Sequence, residues 1–238
     1  MTIEPNDPTR SGPPLPAGGA ASLSQNEIRA LCLKAARGAG MDWGIAEEAG
    51  SAAAWLSERG LDGPGALLDW LSASDRIPAA SRRPEMTSGS WRPSDDGPMC
   101  PITLGAALCD FADLPEAALS RGLLRLGPVG RPVLLLPFLS GLGAAQGSAV
   151  RIDWPGGTVA VDGRGALSGD AEALRLEPEA VLTIAGFRAE GLDRTACCLR
   201  PAVGPDTLRG LDDLAMRTTV PPSEASRAGA GAATSDND

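Results

Sequence analysis

The stretch Val150-Arg151-Ile152-Asp153-Trp154, then Pro155-Gly156-Gly157, then Thr158-Val159-Ala160-Val161-Asp162, decides the fold class. Apolar Val150, Ile152 and Trp154 alternate with charged Arg151 and Asp153, so an extended chain presents one apolar and one charged side. The Pro-Gly-Gly between the two runs supplies a reversal, and the pattern predicts a β-hairpin. Working outward, Val181 to Phe187 and Thr195 to Leu199 read as two further strands. Asp206 to Met216 reads as a helix, because Leu208, Leu211, Leu214 and Ala215 recur at helical spacing.

Toward the N-terminus the period changes to that of helices. Ser24 with Glu27 three residues later forms a capping box, followed by Ile28, Leu31, Cys32 and Ala35 on one face and an end near Gly38 to Gly40. Asp42 is placed to cap a second helix with an apolar stripe of Ile45, Ala49, Ala52, Ala53 and Leu56, stopped by Gly60. A short third helix, Ala66 to Leu71, follows Pro64-Gly65. Ser72 to Pro98 is crowded with Ser, Pro, Arg, Gly and Asp and has no period, which reads as a long loop or hinge. Met99 to Phe111 reads as a buried segment, and the run Val133 to Leu136 fits a strand or a helix equally well.

An α+β fold follows, with an N-terminal helical unit, a central antiparallel sheet containing the hairpin, and a C-terminal helix. The expected organisation is a disordered tail over 1–22 and a single domain over 23–238. That domain divides into helices at 23–72, a loop at 73–98, a mixed sheet part at 99–218 and a terminal segment at 219–238. No internal repeat is present.

Composition excludes several kinds of chemistry. The 238 residues include no histidine, no tyrosine and one lysine, Lys34. Histidine is the side chain whose ordinary pKa lies near neutrality, so a proton-transfer group here is a perturbed carboxylate, a cysteine or Lys34. Ser-His-Asp and Cys-His nucleophilic machinery is ruled out, as are zinc sites that need histidine. A drift toward arginine, alanine, glycine and proline accounts for the pattern, and the exclusion holds whatever its origin. The net charge of −9 argues against nucleic acid, which requires a basic footprint. The dense basic cluster Arg82-Arg83, with Arg76 and Arg92 nearby, lies in the Ser/Pro-rich stretch and reads as a solvated loop. The longest apolar run, Val133 through Pro137 to Leu142, is far short of the roughly 20 residues of a membrane span, so no membrane partner is expected. Five cysteines, Cys32, Cys100, Cys109, Cys197 and Cys198, show no regular spacing and follow no secretory leader, which implies reduced cytoplasmic thiols.

Three stretches hold candidate chemistry. Glu47 and Glu48 lie near the start of the second predicted helix, where the helix dipole explains them, and a catalytic Glu47 would have to be buried. Cys100, ahead of Pro101, reads as a buried structural thiol or as a nucleophile activated by an arginine or a helix start. Beyond Thr219 the chain is rich in Ser, Gly, Ala and Asp. Successive small residues there, among them Gly229 and Gly231, can turn N–H groups toward an anion that Arg227 clamps, and Asp236 and Asp238 offer hard oxygen ligands to a divalent cation. The same composition also fits a frayed end. No P-loop, CxxC pair or dinucleotide fingerprint appears, so no cofactor is identified.

Several pieces together resemble an uncharacterised bacterial family, domain of unknown function 3726. They are Ser24-Gln25-Asn26-Glu27-Ile28, Ala35-Ala36-Arg37-Gly38-Ala39-Gly40, Trp43-Gly44-Ile45-Ala46-Glu47-Glu48-Ala49-Gly50, Met99-Cys100-Pro101-Ile102 and Gly105-Ala106-Ala107. The resemblance continues at Val220-Pro221, Ser223-Glu224-Ala225-Ser226-Arg227, Gly229-Ala230-Gly231 and Ser235-Asp236-Asn237-Asp238. It implies that the terminal segment is a family feature, a docked glycine-rich tail. No established activity comes with it.

Two functional expectations follow. In the first, the chain is a small-molecule enzyme or ligand-binding protein for an anionic metabolite. Glu47, Glu224 and Cys100 are its catalytic candidates, Ser223, Ser226, Arg227, Gly229 and Gly231 its ligand-binding residues, and Asp236 and Asp238 optional metal ligands. In the second, it is a non-catalytic assembly partner that docks its C-terminal segment into another protein, with the Val133–Leu142 run as an interface.

Overall fold

Ser24 opens the first helix as the capping box requires. Its hydroxyl accepts from Glu27 N–H at 3.3 Å and its own N–H donates to Glu27 Oε2 at 2.7 Å, which holds the Glu27 carboxyl below its ordinary pKa. Helix α1 (Gln25–Gly38) buries Ile28, Cys32, Ala35 and Ala36. Helix α2 (Trp43–Glu58) buries Ala46, Ala49, Ala52, Ala53 and Leu56 against it, and α3 (Gly63–Ala73) adds Leu67, Trp70 and Leu71. Small residues on these faces bring the backbones close: a Cβ at Gly50 would stand 2.6 Å from Arg29 O. The computed structural model describes residues 21–112, 122–188 and 202–218.

Seven strands form one sheet: β2 (Pro84–Thr87), β3 (Ser90–Pro93), β4 (Leu123–Gly130), β5 (Ala149–Trp154), β6 (Gly157–Val161), β7 (Leu167–Gly169) and β8 (Glu179–Phe187). Their order is β2-β3-β4-β8-β5-β6-β7. Every pair is antiparallel except β3 with β4. The hairpin is β5–β6, in register from Val150 opposite Val161 to Trp154 opposite Gly157. Two residues of the expected N-terminal tail are also paired: β1 (Ala21–Ser22) runs antiparallel to β9 (Ala202–Val203). Four further helices complete the described residues, α4 (Pro101–Asp110), α5 (Leu136–Gln146), α6 (Ala171–Leu176) and α7 (Pro205–Met216). In α7 the buried residues are Leu208, Leu211, Leu214 and Ala215, the face its sequence spacing predicts. The α+β class, the helical N-terminal region and the C-terminal helix are as expected.

The core is one continuous cluster under the sheet and between the helices, built mainly from Leu, Val, Ile and Ala, with Trp70, Trp91 and Trp154 inside it.

The structure departs from the sequence reading at 72–98 and decides between the two readings left open at 133–136. The stretch 72–98 is not a plain loop, since it contains a 3₁₀ turn, Ala79–Arg82, and the β2–β3 hairpin. That hairpin lies at the sheet edge with only Trp91 buried, so no alternation marks it in the sequence. The Val133–Leu136 run is helical, a 3₁₀ turn at Pro132–Leu135 leading into α5, with Pro132 and Pro137 early in their turns, where proline costs no hydrogen bond. This run is also fully enclosed, with Val133, Leu134, Leu135 and Leu136 each 0% exposed, so it gives no surface to a partner. The proposed strand Thr195–Leu199 and the segment 219–238 lie outside the described residues. Among the described residues no helix is long and apolar enough to cross a membrane.

Candidate functional site

The ends of three helices meet around a cleft of about 260 Å³. One wall is the turn between α1 and α2, Ala39 to Asp42, closed by Gly40 at φ +95°. Arg37 braces it by donating from Nη1 to Met41 O at 2.5 Å, its guanidinium carbon 5.7 Å from the Trp43 ring centre. A second wall is the end of α3 and the residues after it, Leu71, Ser74 and Ile77, where Ser74 Oγ donates to Trp70 O at 2.7 Å. The third side is cationic and polar: Arg82 of the 3₁₀ turn and Arg83 just after it, with Cys100 and Thr103 at the start of α4.

Two contacts fix that third side. Arg82 Nη1 donates to Pro98 O at 3.2 Å while its guanidinium carbon lies 5.1 Å from the Trp70 ring centre. Its backbone carbonyl accepts from Cys100 N–H at 3.0 Å, so the basic turn and the start of α4 are tied together. Cys100 is the residue that precedes α4, and no side chain caps this helix. Its first internal bond runs from Leu104 N–H to Cys100 O. Pro101 has no N–H, and the N–H groups of Ile102 and Thr103 precede that first bond, so the start of α4 carries the partial positive charge of unpaired amide donors. Among the described residues no ion pair joins Arg82 or Arg83 to a carboxylate.

Cys100 therefore lines the cleft, on a residue 6% exposed. Glu47 does not: it is exposed on α2, accepts a hydrogen bond from Trp43 Nε1 at 3.0 Å, and lacks the burial that a catalytic carboxyl there requires. Glu224, Ser223, Ser226, Arg227, Gly229, Gly231, Asp236 and Asp238 all lie outside the described residues. Among the described residues no cluster of three metal-ligating side chains occurs. Of the other described thiols, Cys32 is a core group and Cys109 is half-buried against the core, burial pushing Cys32 up to about 12 and Cys109 up to about 11. The residues that sequence reasoning passed over are Asp42, Arg82, Arg83 and Thr103. The signal for the arginines was present in their density within an acidic chain, but the Ser/Pro-rich surroundings pointed to solvent. Arg82 is half-buried instead, while Arg83, Arg76 and Arg92 are exposed as that reading has them.

Residues 23–92 match the model of a family described as "Protein of unknown function (DUF3726)", the family that the sequence pieces from Ser24 to Gly50 resemble. The pieces from Met99 onward lie beyond the matched residues. No curated protein matches the chain. Among solved structures it is similar to malate dehydrogenase from Entamoeba histolytica, at 15% identity and a TM-score of 0.38, over 62% of this chain and 44% of that one. The match thus spans less than half the length of that protein.

Proposed function

For a chain whose helical unit matches a family without assigned activity, we propose binding of a small anionic molecule in the cleft between α1, α3 and α4. The observation that supports it most is the meeting, in one concave site, of two guanidinium groups that no carboxylate neutralises and a helix start that nothing caps. Unfilled amide donors and arginine side chains are the two protein groups best suited to a carboxylate or phosphate. On a protein of net charge −9, a recessed positive site draws anions locally against the overall field. The volume fits a small metabolite, being below the roughly 300–1,000 Å³ of drug-sized sites.

In this reading Arg82 and Arg83 hold the anion. Cys100, Ser74 and Thr103 supply the nucleophilic and hydrogen-bonding groups, and any reaction proceeds without imidazole. The terminal segment belongs to the proposal too. Helix α7 ends where Arg217 Nη1 donates to Asp75 Oδ1 at 2.7 Å, one residue from cleft-lining Ser74, and this bond holds the Asp75 carboxyl below its usual range. As proposed, Arg227 of the terminal segment supplies a third guanidinium, with Ser223, Ser226, Gly229 and Gly231 as further donors, Glu224 as an acid or base, and Asp236 and Asp238 as metal ligands.

The test is calorimetric titration of the full chain with inorganic phosphate, acetate and pyruvate. Binding of at least one is expected, weakened about tenfold or more by Arg83→Gln and by removal of residues 229–238. No heat with any of the three, or equal affinity in the Arg83→Gln protein, overturns the assignment.

A further inference from the structure

The cleft also holds a charge of the opposite sign. Asp42 lines it at the position preceding α2, yet its side chain makes no capping bond to that helix, and no ion pair engages it among the described residues. A carboxylate there and the guanidinium groups of Arg82 and Arg83 thus share one small cavity without neutralising each other. A second observation concerns the interior of the site. The Cys100 thiol, on a residue 94% buried by its 6% exposure, lines the same cavity with no hydrogen-bond partner among the described residues. The rest of the lining includes apolar Met41, Ile45, Leu71 and Ile77.

Opposite charges that line one cavity without pairing are both satisfied by a molecule that carries both charges itself. We propose that the ligand class of this cleft is a zwitterionic α-amino acid with an aliphatic side chain, an inference that rests on the anion-binding reading above. The carboxylate meets Arg82, Arg83 and the amide donors of Ile102 and Thr103. The ammonium group meets Asp42, and the side chain lies against Ile45, Leu71 and Ile77. Asp42 is exposed, so its pairing with the ammonium is screened by water and contributes a modest share of affinity, about fivefold.

The experiment is a thermal-shift panel of the common L-amino acids on the full chain, followed by titration of the best one against its counterpart lacking the amino group, for example L-leucine against 4-methylpentanoate. Expected is stabilisation by aliphatic amino acids and about fivefold weaker binding of the deaminated acid. Asp42→Asn lowers the affinity for the amino acid to that of the deaminated acid and leaves the latter unchanged. Because Asp42 caps no amide, this variant keeps the fold, which its melting curve checks. Equal binding of both acids, or an amino acid that binds Asp42→Asn undiminished, overturns the zwitterion assignment and leaves the anion site standing. Phosphate or acetate binding without any response to amino acids does the same. No response to any probe overturns both readings.

Discussion

Trp70 is the plate on which the cleft's cationic side rests, and replacing Gly130 with alanine tests that arrangement. Gly130 ends β4 directly under the indole: a Cβ there would stand 2.1 Å from Cζ3 and 2.5 Å from Cε3 of Trp70. The ring is 2% exposed and has Arg82 over it at 5.1 Å, so it cannot swing into solvent to make room. Forcing a methyl group into such a position costs about 1–3 kcal/mol. In a chain of this length each kcal/mol lowers Tm by about 2–4 °C, so a fall of about 2–12 °C is expected by calorimetry or circular dichroism. The control runs the other way. Gly141 is an exposed position within α5 with nothing within 4 Å of the space a Cβ would fill, so Gly141→Ala is expected to stabilise by about 1 kcal/mol through helix propensity alone. Displacing the indole also displaces Arg82, so Gly130→Ala binds acetate or phosphate more weakly while Gly141→Ala does not. If Gly130→Ala melts within a degree of the parent, the indole does not lie against the end of β4, and the account of how Arg82 is held is wrong.

Two other perturbations are read in the same way. Arg59 stacks on Trp55 at 3.6 Å and donates to Gly165 O at 2.8 Å and to Trp55 O at 2.9 Å, so Arg59→Lys, which keeps the charge but loses the planar fork, is expected to lose about 1–3 kcal/mol in urea unfolding; a loss below about 0.5 kcal/mol refutes the clamp. The Cys32 thiol is raised from 9.0 to about 12, chiefly by burial and then by Asp62, so its contribution to stability is complete below pH 9.0 and is lost as pH rises toward 12; the unfolding free energy from urea titration falls with pH in that window by roughly 1 kcal/mol per unit from this group, and the same slope in Cys32→Ala refutes it.

What the sequence made legible is what local chemistry specifies. The Ser24–Glu27 pair marks a helix start because both partners sit within one turn, and the β5–β6 hairpin shows itself because one face meets the core and the other meets water. Helix α7 is visible for the same reason, as a single apolar stripe. Strand β4 is not, because Gly127-Pro128 interrupts its alternation where the register with β8 shifts between Leu126 and Pro128. The hairpin β2–β3 is hidden because Trp91 is its one buried residue, with Ser88-Gly89 and the positive φ of Gly89 as the one local mark of its turn. The cleft was half legible. Cys100 was singled out for its place before Pro101, but Arg82 and Asp42 acquire meaning only when the ends of α1, α3 and α4 converge, and that convergence is a property of packing between segments some 60 residues apart in numbering, from Asp42 to Cys100.

The crossing of α1 and α7 bears on where this protein can be divided. Gly38 comes so near Leu214 that a Cβ would stand 1.7 Å from its carbonyl oxygen, and β1 is paired with β9 just ahead of α7. Residues 23–92, the part that matches the family model, therefore hold a helical layer whose outer covering comes from 205–216, and a strand, β3, whose neighbour β4 begins at 123. Cut out by itself, that part would lose the cover α7 gives α1 and the strand that pairs with Trp91. The folded unit is larger than the matched stretch, and it is closed by the strand β9 and the helix α7, from residues 202–216.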